Sequence, residues 1–183
     1  MNSMRRAFWY LNHFFMVPIF RLGLGPFVGN PLTGYIMVLK TIGWKTGKTR
    51  YTPVNYAMKN GYVYCMAGFG KISHWYKNLK ANPNLDVILP SGPVYGAMEE
   101  VTDLDEALDI AKDIFKNAGF AVIFEGYIPF REIPDEKIKA LLKRVLVLRI
   151  RPTGVGSGAS DPSGWLWISL TALVILLIYC HLR

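Results

Sequence analysis

The first eighty residues contain no aspartate and no glutamate, although they carry eleven lysines and arginines. All thirteen acidic residues of the 183-residue chain lie further on, among the other ten basic ones. A front half of one sign builds a positive potential that attracts anions: phosphates, polycarboxylates, acidic lipid headgroups or nucleic acid. Cysteine is nearly absent as well. Cys65 falls in an expected strand and Cys180 in an apolar tail, which argues against a disulfide. No Cys-x-x-Cys or Cys/His cluster has ligand spacing, so no metal site is expected.

Charge of either sign is missing from residues 162–182. Trp165–Cys180 reads WLWISLTALVILLIYC, and about 20 helical residues cross a hydrocarbon core at ~1.5 Å each. The expectation is a transmembrane helix over 165–182, with Trp165, Trp167 and Tyr179 at the two interfaces. The strongly basic domain would then be membrane-anchored on the cytoplasmic side. Residues 153–164 (TGVGSGASDPSG) have the composition of a flexible linker. Residues 1–33 read as an amphipathic helix and a lead-in loop. Arg5, Arg6 and Arg21 alternate there with Phe8, Trp9, Leu11, Phe14, Phe15 and Phe20, a pattern that suits either a bilayer surface or the chain's own domain. Pro18 should kink or end that helix.

The middle, 34–152, reads as one α+β domain. Its composition is globular, with 51% hydrophobic and 19% charged residues in the whole chain. Strands are expected at 34–41, 51–57, 61–67, 84–90, 93–101 and 145–151, where β-branched and aromatic residues gather between turn residues. Asn60-Gly61 is a hairpin signal. Thr102 should open a helix with Asp105 as its capping-box partner and Leu104, Leu108, Ala111 and Phe115 as its apolar stripe. A second helix should follow Pro134. Hairpin-linked strands, two helices and a returning strand imply a closed or split antiparallel barrel with flanking helices.

Two segments carry chemistry. Gly43-Trp44-Lys45-Thr46-Gly47-Lys48-Thr49-Arg50 has three residues between its glycines where a P-loop has four, and it leads into a strand rather than a helix, which excludes a nucleotide triphosphatase. Its physics still suits an anion. The glycines let backbone N–H groups converge, and Lys45, Thr46, Lys48 and Arg50 add donors. The second segment, Ser73–Pro83, reads as a short helix ending before Pro83. Trp75, Asn78 and Leu79 share one face, where an indole can lie on a planar heterocycle and an amide can bond its edge.

Together these segments resemble the deazaflavin-dependent nitroreductase family. Thr41-Ile42-Gly43-Trp44-Lys45-Thr46-Gly47-Lys48-Thr49-Arg50, then Thr52-Pro53, then Trp75 through Pro83 follow the family pattern, and Asn30-Pro31-Leu32-Thr33-Gly34 is similar to its lead into the first strand. The resemblance implies coenzyme F420 on a split β-barrel of the FMN-binding, pyridoxamine-phosphate-oxidase type. It implies that Lys45, Thr46, Gly47 and Arg50 hold the coenzyme phosphate. Met66, Ala67 and Gly68 would approach the deazaflavin through backbone. Trp75 and Asn78 would flank the coenzyme, and Lys80 would meet its acidic tail. The loop from Phe69 to His74 is shorter than in the named nitroreductases.

The cofactor carries the hydride chemistry, so the protein's part is placement and a proton, for which Ser73, His74, Tyr56 and Tyr127 are candidates. Tyr127 lies in the Gly126–Pro129 loop and could equally be packing. The expected activity is hydride transfer from reduced deazaflavin to a small, lipophilic acceptor: a quinone, a nitro compound or an unsaturated compound. Two alternatives stand beside it, an FMN-dependent reductase on the same fold and a non-catalytic protein holding anionic lipid. The membrane anchor and the lack of a binding motif argue against nucleic acid. The expected partners are a small-molecule substrate, a membrane and, in one arrangement, a second copy as a homodimer.

Overall fold

Asn60 and Gly61 both adopt positive φ, 51° and 79°, and close a two-residue hairpin as the dipeptide requires. In the computed structural model that hairpin joins β2 to β3 of a closed six-stranded barrel. The structure describes residues 6, 10–22, 24–30, 33–125, 127, 131–158 and 164–182. Residues 4–5 and 7–9 of the expected N-terminal helix, Gly126 and 128–130 of the Tyr127 loop, and 159–163 of the expected linker lie outside them.

The strands are β1 (Ile36–Ile42), β2 (Thr49–Lys59), β3 (Tyr62–Ala67), β4 (Asn84–Leu89), β5 (Gly92–Glu100) and β6 (Leu146–Val155). Every pairing is antiparallel, in the order β1-β2-β3-β6-β5-β4, and β1 meets β4 again to close the ring. That seam is short: Val38, Leu39 and Lys40 face Ile88, Val87 and Asp86. Alternating side chains from the strands fill the interior, among them Met37, Leu39, Val63, Cys65, Leu85, Val87, Leu148 and Ile150. Strand β6 runs through 153–155, the first residues of the segment expected to be a linker.

Three groups of helices dress the barrel. In the first, a helix over 10–21 contains a π-wound turn, Asn12–Met16, and ends in α1 (Val17–Arg21), followed by α2 (Gly25–Val28). Pro18 does not end the helix; the widened turn just before it accommodates the ring and the missing N–H. Met16 and Phe20 bury against Val38 of the barrel, while Tyr10, Leu11, Phe14 and Phe15 stay exposed. In the second, α3 (His74–Ala81) plugs one end of the barrel and places Tyr76 and Leu79 in the interior core.

The third group is α4 (Leu104–Asn117) and α5 (Asp135–Leu142), which cover the outer faces of β2, β3 and β6. The cap of α4 sits one residue later than expected: Asp103 accepts from the Glu106 N–H at 2.7 Å, because a carboxylate at that position is the stronger acceptor. The buried stripe is accordingly Ala107, Ile110, Ala111, Ile114 and Phe115, and Leu104 is exposed.

The C-terminal expectation is corrected. Among the described residues no helix is long and apolar enough to cross a membrane. Helix α6 (Gly164–His181) has 18 residues, about 27 Å at ~1.5 Å each against a hydrocarbon core of about 30 Å. The transmembrane part of the expected fold and the membrane-anchored, cytoplasmic placement built on it therefore fall away.

Candidate functional site

The loop between β1 and β2 is shaped by its own backbone. Gly43 N–H donates to the Lys48 carbonyl at 2.9 Å, and the amides of Thr46 and Gly47 donate back to the Gly43 carbonyl at 3.1 and 2.8 Å. Gly47 takes φ +63°, and a Cβ on Gly43 would stand 2.8 Å from Thr46 Oγ1. Both glycines are thus required by the turn rather than merely tolerated.

Helix α3 holds this loop in place. Asn78 is buried and uses its whole amide: Oδ1 accepts from the Trp44 N–H at 3.1 Å, and Nδ2 donates to Thr41 Oγ1 at 3.1 Å. Asn78 therefore acts as a staple beneath the loop. Thr41, at 1% exposure, was missed by sequence reasoning; its clue was a hydroxyl on the inward-facing side of β1.

Lys45, Thr46, Gly47, Lys48 and Arg50 all lie exposed around the stapled turn. Lys45 Nζ sits over the Trp44 ring at 4.7 Å from the centroid. Among the described residues, no carboxylate pairs with Lys45, Lys48 or Arg50. The structure thus gathers the expected phosphate-holding residues on one turn and leaves their charge uncompensated.

The other expected residues are distributed along the same end of the barrel and its outer layer. Trp75 is half-buried against the interior core. Lys80 is engaged at 3.0 Å by Glu100, which also accepts from the Tyr76 hydroxyl at 2.8 Å. Burial, with the Glu100 bond added, pushes the Tyr76 hydroxyl up to about 12, while Lys80 and Tyr76 hold Glu100 below its ordinary range. Met66 points outward and packs with Phe115 and Tyr127, whose rings meet edge-on at 5.5 Å. Ala67 is buried and Gly68 exposed at the end of β3.

Of the expected proton donors, His74 is exposed at the start of α3, whereas Ser73 is sealed, its Oγ meeting no partner among the described residues. Burial, then the neighbouring Tyr35, raises the Tyr56 hydroxyl above its usual range. No group of three or more His, Cys, Asp or Glu among the described residues could hold a metal ion.

The sequence model of the F420H(2)-dependent quinone reductase family matches residues 18–109, half of the chain. The chain belongs to this family. The protein is accordingly a deazaflavin-dependent oxidoreductase, and F420 is its cofactor. Among solved structures, it is similar to an F420-H2 dependent reductase, at 24% identity over 63% of this chain and 93% of that one, TM-score 0.43. It is similar to an F420 reductase, at 20% identity over 69% and 90%, TM-score 0.45, and to a conserved hypothetical protein from Mycobacterium tuberculosis, at 16% identity over 72% and 82%, TM-score 0.49. No curated protein matches the chain.

The residues fit the coenzyme. F420 carries a phosphate, and the Gly43–Arg50 turn offers three exposed cations without counter-charge beside the Thr46 hydroxyl, on a backbone held in shape by its own hydrogen bonds.

Proposed function

We propose that this F420-dependent reductase holds the coenzyme phosphate on Lys45, Thr46, Gly47 and Arg50, and delivers hydride to a small quinone-type ring. The observation that carries the reading is the Asn78 staple, which fixes a loop whose lysines and arginine face no acid. A phosphate there gains charge-assisted bonds without displacing any existing partner.

The barrel supports a ring some distance from that phosphate. Tyr56 pairs with Cys65, the residue before Met66, and lies six residues along β2 from Arg50, about 20 Å at ~3.3 Å per residue. An extended coenzyme lying along β2 thus reaches the Met66–Gly68 backbone. Trp75 forms an apolar wall beside it, and α3 closes the barrel end against water.

When bound, reduced F420 supplies a hydride, two electrons with one proton. The quinone takes that hydride and one further proton and leaves as hydroquinone. His74 is the proton donor of this arrangement, because among Ser73, His74, Tyr56 and Tyr127 it alone is exposed.

The test is titration of F420 and of FMN into the full chain, with Lys45→Ala and Arg50→Ala alongside. Each substitution should weaken F420 about tenfold, the loss of about 1.4 kcal/mol of charge-assisted bonding. Unchanged F420 affinity in both variants, or tighter binding of FMN than of F420, would overturn the proposal.

A further inference from the structure

A pocket of about 720 Å³ lies away from the phosphate-holding turn, between the C-terminal half of α4, the stretch Gly119–Val122 and the start of α5. Its volume falls in the range of small-molecule sites. The floor is apolar and partly aromatic: Tyr35, Phe115, Val122, Ile133 and Ile138. The rim is charged, and half of its charged residues are already paired. Lys112 meets Asp135 at 2.7 Å, and Asp113 meets Lys59 at 3.5 Å. Lys116, Arg131 and Glu132 remain, all exposed, with no ion pair among the described residues. The unpaired rim therefore carries two cations against one carboxylate.

The position of the pocket matters as much as its lining. Tyr35 immediately precedes β1 and the Gly43 turn follows it, so seven strand residues, about 23 Å, separate the two. The pocket wall nevertheless reaches the level at which the coenzyme ring is placed above. The Tyr35 carbonyl accepts from the Tyr56 N–H at 3.2 Å, and Phe115 is shared between the pocket and the cluster of Tyr127 and Met66.

We propose that this pocket seats the ring of the electron acceptor, and that Lys116 and Arg131 make it prefer a ring bearing a negative charge. The inference rests on the reading that the protein reduces a quinone-type ring. It adds where that ring binds and which substituent it favours. Apolar contact with Tyr35, Phe115 and Ile138 supplies affinity for the ring, and the two cations act on the substituent at the rim. Glu132 works against them.

The probes are 1,4-naphthoquinone and its 2-sulfonate, which differ by one negative charge. Binding to the full chain without coenzyme is read from quenching of intrinsic fluorescence, and kcat/KM is measured with reduced F420. The sulfonate should bind the wild type more tightly than the neutral quinone, with a margin that shrinks as salt rises. Lys116→Ala and Arg131→Ala should each lower the sulfonate-to-neutral ratio, in binding and in kcat/KM, by about two- to fivefold, the range for exposed charge pairs. Glu132→Gln should raise it. A ratio that ignores all three substitutions while F420 binds normally overturns the pocket assignment alone. Failure of the wild type to bind F420 overturns the parent reading instead.

Discussion

Replacing Asn78 with alanine separates the staple from the charges it organises. Asn78 is 5% exposed and makes two hydrogen bonds of 3.1 Å. Losing them forfeits about 1 kcal/mol each. Truncation also leaves the Thr41 hydroxyl, 1% exposed, without its donor, and an unsatisfied buried group adds about 1 kcal/mol more. The expected loss of stability is therefore about 3 kcal/mol, read as a shift of the urea midpoint with an unchanged m-value. The loop should suffer separately. Once the Trp44 N–H is free, the turn carrying Lys45 and Arg50 has to be ordered by the ligand itself, and each residue fixed costs about 1–2 kcal/mol. At a temperature where the variant remains folded, F420 should bind at least tenfold more weakly, measured by quenching of coenzyme fluorescence. Asn78→Asp keeps an acceptor for Trp44 but adds a negative charge beside the loop, so it should weaken F420 binding with a smaller loss of stability. If Asn78→Ala were destabilised and still bound F420 with wild-type affinity, the staple would have no part in binding and the anion-cradle argument would fail.

Two further outcomes follow from groups outside the site. Asp86 accepts from the Ser157 N–H and hydroxyl and pairs with Lys40 at 3.3 Å; burial pushes its carboxyl up, but the Ser157 bonds and the Lys40 ammonium outweigh this and hold it below the ordinary range. A depressed folded value stabilises above the unfolded pKa of about 3.9, and the gain is lost as pH falls through the folded value, so Asp86→Asn should cost about 2 kcal/mol at neutral pH and progressively less below about pH 4, by urea denaturation across that range. Cys65 is fully enclosed in the barrel, where burial alone pushes its thiol up to about 12, whereas Cys180 is exposed on α6; a chromogenic disulfide reagent should therefore titrate one thiol in the native protein and two in denaturant, and two fast thiols in the native state would refute the closed barrel around Cys65.

The contrast between what could and could not be read in advance follows from the range of each interaction. The Asn60-Gly61 hairpin and the Gly43–Arg50 turn were legible because a few adjacent residues set their backbone angles. The apolar run 165–182 was misread as a span because composition fixes the character of a helix and not its end. Pairings across the sheet carry no such local signature. Lys40 and Ser157 are 117 positions apart and meet only because β1, β4 and β6 close into one ring. The bond from Asn78 to Thr41 had no local signal either, since the two lie 37 positions apart. Tyr35, Lys116 and Arg131 belong to no motif at all; α4, α5 and the start of β1 must first pack before their side chains share a pocket. In this fold the anion-holding turn is built from neighbours in sequence, whereas the surface that selects the acceptor is assembled from distant segments. Substitutions around Lys116 and Arg131 can therefore retune the acceptor without disturbing the Gly43–Arg50 turn. The Asn78 and Lys116 variants together test that independence: a double variant should show the two losses as separate, additive changes in F420 affinity and acceptor preference.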